Sequence, residues 1–141
     1  IQMLATFALM DRDSRKVHNV EAEMVAPYQS EFSKKIIRGP KYLDLENPSS
    51  KDYHVRFYDL DMNGHVNNSK YLDWIFEVMG AEFLTNHIPK KINLKYVKEV
   101  RPGGMITSSY ELNQLESNHQ VTSEGDINAQ AKITWQKINK D

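Results

Sequence analysis

One stretch of this chain has helical periodicity, and it lies between segments with the alternation typical of strands. Its apolar residues recur at spacings of three and four, at Leu72, Ile75, Met79 and Phe83. This spacing predicts one amphipathic helix whose apolar stripe faces a core. Asn67, Asn68 or Ser69 can cap its start by accepting hydrogen bonds from backbone N–H groups. Asn86 and Pro89 are predicted to end it.

The strand patterns place one strand before this helix and four after it. Alternation covers 53–58 before the helix and 92–96, 106–112, 120–123 and 127–135 after it, with turns at 101–104, near 117–118 and at 125. Strands segregated from a single helix predict an α+β domain with an antiparallel sheet laid over that helix. One helix covers one face of such a sheet, so we expect pairing with a second domain or with another copy of the chain.

The first 52 residues differ from the rest in pattern. An apolar run at 3–10 and a polar turn at 11–14 predict a hairpin whose second strand covers 16–20. Residues 26–52 contain three prolines and a glycine without sustained periodicity, which is typical of a linker. The sequence therefore predicts three segments, which are a terminal hairpin at 1–25, a linker at 26–52 and the α+β domain at 53–141.

Composition excludes several functional classes. A net charge of −1 over 141 residues argues against nucleic-acid binding, which needs a basic face. No stretch reaches the roughly 18 apolar residues that a membrane-spanning helix needs. The absence of cysteine excludes disulfides, thiolate metal sites and a cysteine nucleophile. We expect the cytoplasm as the compartment.

A polar cluster at 59–68 immediately precedes the helix, and it contains two carboxylates, three carboxamides and one imidazole. Its first half matches the opening of a calcium-binding EF-hand loop, but the twelfth position is Lys70 instead of a bidentate Glu, so calcium is disfavoured. The chain lacks a nucleophile elbow, a zinc helix and a phosphate loop. With His65 near a helix N-terminus, metal-free acid–base chemistry on water remains, with backbone N–H groups polarising a carbonyl.

The string Asp61-x-Asn63-x-His65-Val66-Asn67-Asn68-x-x-Tyr71-x-x-Trp74-x-x-Glu77 resembles the acyl-acyl carrier protein (acyl-ACP) thioesterases of bacteria and plant plastids. That family has two tandem hotdog domains, each an antiparallel sheet wrapped around a long central helix. The likeness runs from about Tyr53 to the C-terminus. The first 25 residues resemble the last hairpin of the preceding hotdog domain. The resemblance thus implies the C-terminal catalytic half, with most of the first domain missing.

The resemblance also implies site roles. Asp61, Asn63 and His65 match the catalytic D-x-N-x-H set, and Glu99 matches the glutamate on the following strand. Many plant members have a cysteine where this chain has Val100, so we favour water as the nucleophile, with Glu99 activating it and Asn63 orienting it. His65 would assist proton transfer, and Asp61 would position the helix terminus and the carbonyl. Glu99 has the opposite strand parity to Leu94, so a bulge is needed to turn it toward the site.

Further residues have both a functional and a structural interpretation. Four are candidates for substrate binding: Asn67, Asn68, Tyr71 and Trp74. The two asparagines could equally bond backbone groups at the helix start, and the two aromatic residues could equally be core. Three basic residues are candidates for docking an acidic carrier protein, and the alternative is a solvated strand face: Lys95, Lys98 and Arg101.

The expected activity is hydrolysis of acyl-ACP to release free fatty acid, which ends chain elongation. The resemblance implies no metal and no organic cofactor, and it implies acyl carrier protein bearing a fatty acyl phosphopantetheine thioester as the partner. Two alternatives stay open. One is a hotdog thioesterase acting on acyl-CoA, and the other is a non-catalytic module that binds acyl groups or dimerises.

Overall fold

A short hairpin opens the first of the two units into which the chain divides, residues 1–39 and 40–141. A computed structural model describes residues 2–11, 13–14, 16–28 and 38–139, so positions 29–37 of the predicted linker lie outside the described residues. In the first unit, β1 (Leu9–Met10) pairs antiparallel with β2 (Val17–His18), which confirms the predicted hairpin. A short helix α1 (Ala22–Val25) and a 3₁₀ turn (Ala26–Tyr28) follow it.

The second unit contains a five-stranded antiparallel sheet and two consecutive helices. Its elements are β3 (Ser49–His54), a 3₁₀ turn (Phe57–Asp59), α2 (Asn68–Glu77), α3 (Ala81–Asn86), β4 (His87–Tyr96), β5 (Met105–Asn113), β6 (Glu116–Ser123) and β7 (Asp126–Lys137). The strand order is β3-β5-β6-β7-β4, so β3 and β4 are the edges. The predicted order of one strand, helix and four strands is confirmed. Within the described residues, no helix is long and apolar enough to cross a membrane.

The hydrophobic core lies between α2 and one face of the sheet. Ile75 of α2 is fully buried, as are Ile106, Val121 and Ile133 on three successive strands. The predicted alternation of β7 is confirmed from Ala129 onward, because Ala129, Ala131, Ile133 and Trp135 are buried. It fails at Asn128, which is also buried and lies at a register shift between β6 and β7. A hydrogen bond also joins helix and sheet, since the buried Ser108 hydroxyl donates to the Trp74 carbonyl at 3.0 Å.

The helical pattern is divided between two helices. Helix α2 ends at Glu77, and Gly80, with φ +82° and ψ 156°, precedes α3. That backbone conformation cannot continue a right-handed helix, and it is accessible almost only to glycine. Met79 and Phe83 nevertheless both pack in the core cluster, so the apolar spacing continues across the break.

Three local predictions are wrong. Strand β3 begins at Ser49, inside the predicted linker, and Phe57 lies on a 3₁₀ turn with 81% of its surface exposed. The turn predicted near 117–118 lies within β6, because the buried Ser117 hydroxyl is satisfied there by hydrogen bonds with His119 and Trp135. Pro89 lies within edge strand β4 at a register shift, where a missing N–H is tolerated.

Candidate active site

A tight turn at 60–66 presents His65, and Asp61 organises it. One oxygen of the Asp61 carboxylate accepts the backbone N–H of Asn63 at 2.8 Å and that of His65 at 3.1 Å. The Asp61 N–H in turn donates to the His65 carbonyl at 2.7 Å, and Gly64 takes a positive φ of +75°. The backbone N–H of His65 is the main cause that holds the pKa of Asp61 below its ordinary value. Asp61 is therefore an ionised backbone acceptor at neutral pH.

A second carboxylate, Asp59, stabilises the chain on both sides of this turn. The sequence pattern did not predict this structural role. Asp59 is 1% exposed, and its carboxylate accepts the Arg56 N–H at 2.8 Å and the Arg56 guanidinium at 3.2 Å. Burial alone would raise the pKa of Asp59, but the hydrogen bonds from Arg56 outweigh it and lower the pKa. The Asp59 carbonyl accepts the Asn67 N–H at 2.8 Å, which joins the turn to the start of α2.

Asn67 is the N-cap of α2. Its side-chain oxygen accepts the Ser69 N–H at 3.0 Å and the Ser69 hydroxyl at 2.9 Å. This confirms the predicted cap at the N-terminus of α2, where the helix dipole is positive. The Asn68 carbonyl accepts the Tyr96 hydroxyl at 2.9 Å, which ties the first turn of the helix to β4.

Glu99 lies beyond the end of β4, on the segment 97–104. The backbone N–H groups of Val97 and Lys98 both donate to one carbonyl, that of Asn128, at 2.8 and 3.2 Å. Two successive donors on one acceptor interrupt the regular ladder, as in a β-bulge. The parity that would turn Glu99 to the opposite face therefore does not apply beyond Tyr96.

His65 and Glu99 meet in one cleft. The Nδ1 atom of His65 lies 3.6 Å from Oε1 of Glu99, which is within ion-pair distance, and both side chains are about half exposed, at 52% and 56%. The cleft has a volume of about 290 Å³ and is open to solvent. Its lining residues are Asp61, His65, Val66, Asn67, Asn68, Tyr71 and Glu99.

Tyr71 forms the floor of the cleft. It is 3% exposed, and its ring makes edge contacts with Trp74 and Tyr96 at centroid distances of 5.5 and 5.2 Å. Its hydroxyl oxygen accepts the Val100 N–H at 3.2 Å. Burial raises the pKa of Tyr71, so the hydroxyl keeps its proton at neutral pH. The oxygen accepts from Val100, and the hydroxyl proton is the hydrogen-bond donor that Tyr71 retains.

The structure brings together most, but not all, of the predicted site residues. Asp61, His65 and Glu99 share the cleft with Asn67, Asn68 and Tyr71. Asn63 is exposed and does not line it, and Trp74 is 4% exposed in the core beneath Tyr71. Val66, 7% exposed, is a lining residue that the sequence analysis did not select, because a single valine beside a polar motif carries no chemical signal.

The basic residues predicted to dock a carrier protein lie on the surface beside Glu99. Lys95 is exposed on β4. Lys98 forms an ion pair with Asp126, and Arg101 forms one with Glu124 at 3.5 Å. Both acidic partners come from the turn region between β6 and β7, so much of the positive charge is compensated locally.

The arrangement is suited to acid–base chemistry at an electrophile held at the start of α2. A carboxylate and an imidazole at 3.6 Å are the usual pair for moving a proton from water. The helix N-terminus favours negative charge developing nearby. Asp59 and Asp61, the first two ligands of the rejected calcium loop, instead accept protein N–H groups. Among the described residues, no group of three His, Asp or Glu side chains could hold a metal ion.

Comparison with known proteins gives a consistent family. The family model "Acyl-ACP thioesterase C-terminal domain" matches residues 42–137. Oleoyl-acyl carrier protein thioesterase 2, a chloroplastic protein of Arabidopsis thaliana, is 29% identical in an alignment 131 positions long, which covers 83% of this chain and 34% of that protein. Dodecanoyl-[acyl-carrier-protein] hydrolase of Umbellularia californica is 34% identical in an alignment 73 positions long, which covers 48% of this chain and 19% of that protein.

Solved structures agree in fold. A Lactobacillus plantarum protein named as an oleoyl thioesterase superposes with a TM-score of 0.83 at 31% identity, covering 93% of this chain and 55% of that one. The 12:0-ACP thioesterase of Umbellularia californica gives 0.74 at 21% identity, covering 92% and 53%. The predicted α+β hotdog fold is confirmed. The chain spans about a third of the length of the first curated relative and about half of these solved chains. It belongs to the acyl-ACP thioesterase family and matches that family's C-terminal domain.

Proposed function

We propose that this chain provides the hydrolytic site of an acyl-ACP thioesterase, which releases free fatty acid and ends chain elongation. The observation that carries the proposal is the meeting of His65 and Glu99 at 3.6 Å in a cleft at the start of a helix. Family membership supports the same substrate class, since the named relatives act on acyl groups attached to acyl carrier protein.

The chemistry follows from the two side chains. Glu99 takes a proton from water while the oxygen of that water bonds to the thioester carbon. The carbonyl oxygen becomes negative near the N-terminus of α2. The carbon–sulfur bond then breaks, and the proton that Glu99 took from water passes through His65 to the departing phosphopantetheine thiolate, which restores both side chains. Asp61 acts by holding the backbone of His65, through the hydrogen bond at 3.1 Å. A role for Asn63 in orienting the water rests on the motif alone.

The partner in this proposal is acyl carrier protein bearing a fatty acyl thioester. Lys95, Lys98 and Arg101 remain candidates for its docking surface, although carboxylates pair with two of them. We retain residues 1–25 as a hairpin of a preceding hotdog domain and the cytoplasm as the compartment, both as proposals from the sequence. The domain at 53–141 would then pair with a second hotdog domain or with another copy of itself.

The experiment is a comparison of fatty acid release from acyl-ACP and from acyl-CoA of the same chain length. We expect a higher kcat/KM for acyl-ACP, and a loss of about a hundredfold or more for Glu99→Gln, which removes the base. Glu116→Gln is the matched control, because this exposed carboxylate pairs with Lys132 at 3.2 Å away from the cleft.

Three results would contradict the proposal. A Glu99→Gln variant with the wild-type rate would remove the proposed base. Retention of bound fatty acid by an intact protein that hydrolyses neither substrate would favour the non-catalytic acyl-binding module. A higher kcat/KM for acyl-CoA would instead favour the acyl-CoA thioesterase.

A further inference from the structure

The segment that carries Glu99 is attached to the sheet by one buried residue, Asn128. Asn128 lies on β7 and is 1% exposed. Its backbone carbonyl accepts the N–H groups of Val97 and Lys98. Its side-chain Nδ2 donates to the carbonyls of Lys98 and Glu99, both at 3.3 Å. Backbone and side chain of a single residue thus bind three successive residues that end at Glu99.

The orientation of the Asn128 amide is determined by its surroundings. The Ser123 hydroxyl donates to Oδ1 of Asn128 at 2.8 Å. The two carbonyls on the other side, those of Lys98 and Glu99, can be satisfied only by N–H donors. A flipped amide would place its oxygen against both carbonyls, so the network selects one orientation. Ser123 and Asn128 therefore act as a clamp on the peptide groups before and after the Cα of Glu99.

Two other attachments of this segment lie on the surface, and a third is buried. Lys98 and Arg101 form their ion pairs on the surface, with side chains 60% and 81% exposed. Surface pairs of this kind contribute little to stability. On the far side of Glu99, the Val100 N–H donates to the Tyr71 hydroxyl. The peptide group after the Cα of Glu99 is thus held at its carbonyl by Asn128 and at its N–H by Tyr71.

We propose that Asn128 is a positioning residue, which holds Glu99 at the distance from His65 that proton transfer requires. The inference rests on the proposed function of the cleft. A misplacement of about 1 Å in a catalytic group can cost roughly a hundredfold in rate. Loss of the Asn128 side chain leaves the Glu99 side chain intact but removes one donor from the carbonyls of Lys98 and Glu99. The effect therefore falls on kcat, with substrate binding largely retained.

The test compares the variants Asn128→Ala and Ser123→Ala with the intact protein on acyl-ACP. We expect Asn128→Ala to lower kcat roughly ten- to a hundredfold with KM changed less than about threefold, and Ser123→Ala to lower it less. In a Glu99→Gln background, Asn128→Ala should add less than about a twofold loss, because the two residues act through one group. Asn93→Ala is the matched control. It removes a hydrogen bond from a side-chain amide to the Lys132 carbonyl on the same sheet, and it should keep the wild-type rate.

A second readout does not depend on turnover. Hydrogen exchange of the Val100 amide, whose peptide group loses its bond from the Asn128 side chain, should accelerate in Asn128→Ala and stay unchanged in Asn93→Ala. The Val97 and Lys98 amides keep their acceptor, the backbone carbonyl of residue 128, and serve as internal references. A wild-type kcat in folded Asn128→Ala overturns the inference. So does an Asn128→Ala effect on the rate that is as large in the Glu99→Gln background as in the wild type. Unchanged exchange of the Val100 amide in Asn128→Ala overturns it as well. If Asn128→Ala does not fold, Ser123→Ala decides by the same criteria. Failure of the proposed function is distinct, because Glu99→Gln would then keep the wild-type rate.

Discussion

Asp61 shows how a residue from a catalytic motif can act through the backbone. Its carboxylate accepts hydrogen bonds from two backbone N–H groups, and these bonds lower its pKa, so it is ionised at neutral pH. Asparagine offers the same acceptor oxygen in the same place, whereas alanine offers none. We therefore expect Asp61→Asn to keep thioester hydrolysis within about tenfold, and Asp61→Ala to lose roughly a hundredfold because the turn that presents His65 is released. Steady-state rates of both variants check this.

Equal losses of activity in the two variants would contradict this interpretation. If Asp61→Asn were as inactive as Asp61→Ala, the charge of the carboxylate, rather than its hydrogen bonds, would be what the site requires. Circular dichroism spectra of both variants provide the control that α2 and the sheet remain folded.

His119 gives a second prediction at this scale, on stability. It is 1% exposed, bonded through Nε2 to the Ser117 hydroxyl at 2.7 Å, and its buried Nδ1 has no hydrogen-bond partner among the described residues. Burial lowers the pKa of His119 from 6.5 to about 4. Below pH 6.5 the unfolded chain binds a proton that the folded chain refuses, so stability falls as the pH falls toward 4.

The expected loss of unfolding free energy from this group is about 2 kcal/mol between pH 7.5 and pH 5. Urea unfolding at both pH values measures it, and His119→Gln should remove most of that pH dependence while lowering stability at pH 7.5. An unchanged dependence in His119→Gln would show that other groups cause it.

At the scale of the elements, Gly80 separates two helices that the apolar pattern joins. Its φ and ψ lie in a region where a side chain costs about 1 to 3 kcal/mol, and a Cβ there would meet no atom within 4 Å. Gly80→Ala should therefore lower the free energy of unfolding by about 1 to 3 kcal/mol through backbone strain alone. Urea unfolding checks this. Gly104→Ala is the control, because its φ is ordinary and its Cβ would meet only the Arg101 carbonyl at 3.4 Å.

Elements with a local signal were predictable, and those that depend on distant partners were not. The helix start followed from Asn67, whose cap is formed with Ser69 two residues away. The alternation of β7 likewise followed from its own residues. The break at Gly80 was missed because Met79 and Phe83 keep helical spacing on either side of it. A pattern of apolar residues records burial and does not record a change of helix direction.

The site follows the same rule. His65 and Asp61 lie in one short turn and were identified together. The family motif implies that Glu99 approaches His65, whereas strand parity argues against it. The parity does not apply because the Asn128 carbonyl accepts from both Val97 and Lys98, which interrupts the regular ladder before Glu99. Asn128 itself lies on β7, 29 residues after Glu99, and has no local signal that could have revealed it.

At the scale of the whole molecule, docking of an acidic carrier protein would depend on charge near the cleft. Reversing Lys95 and Lys98 to Glu should raise the KM for acyl-ACP about tenfold at low salt, with kcat changed little, and the difference should shrink as salt rises. Kinetics at two ionic strengths check this. Lys51→Glu is the control, because Lys51 lies on β3 at the opposite edge of the sheet. An unchanged KM and salt dependence would exclude this surface as the dock.

The central claim is that His65 and Glu99 act as one unit in one cleft. The most direct measurement is a double-mutant cycle on acyl-ACP hydrolysis with His65→Ala, Glu99→Gln and the double variant. We expect each single variant to lose about a hundredfold or more, and the double variant to be scarcely slower than the worse single one. Single variants near the wild-type rate, or a double loss equal to the product of the single losses, would contradict the claim.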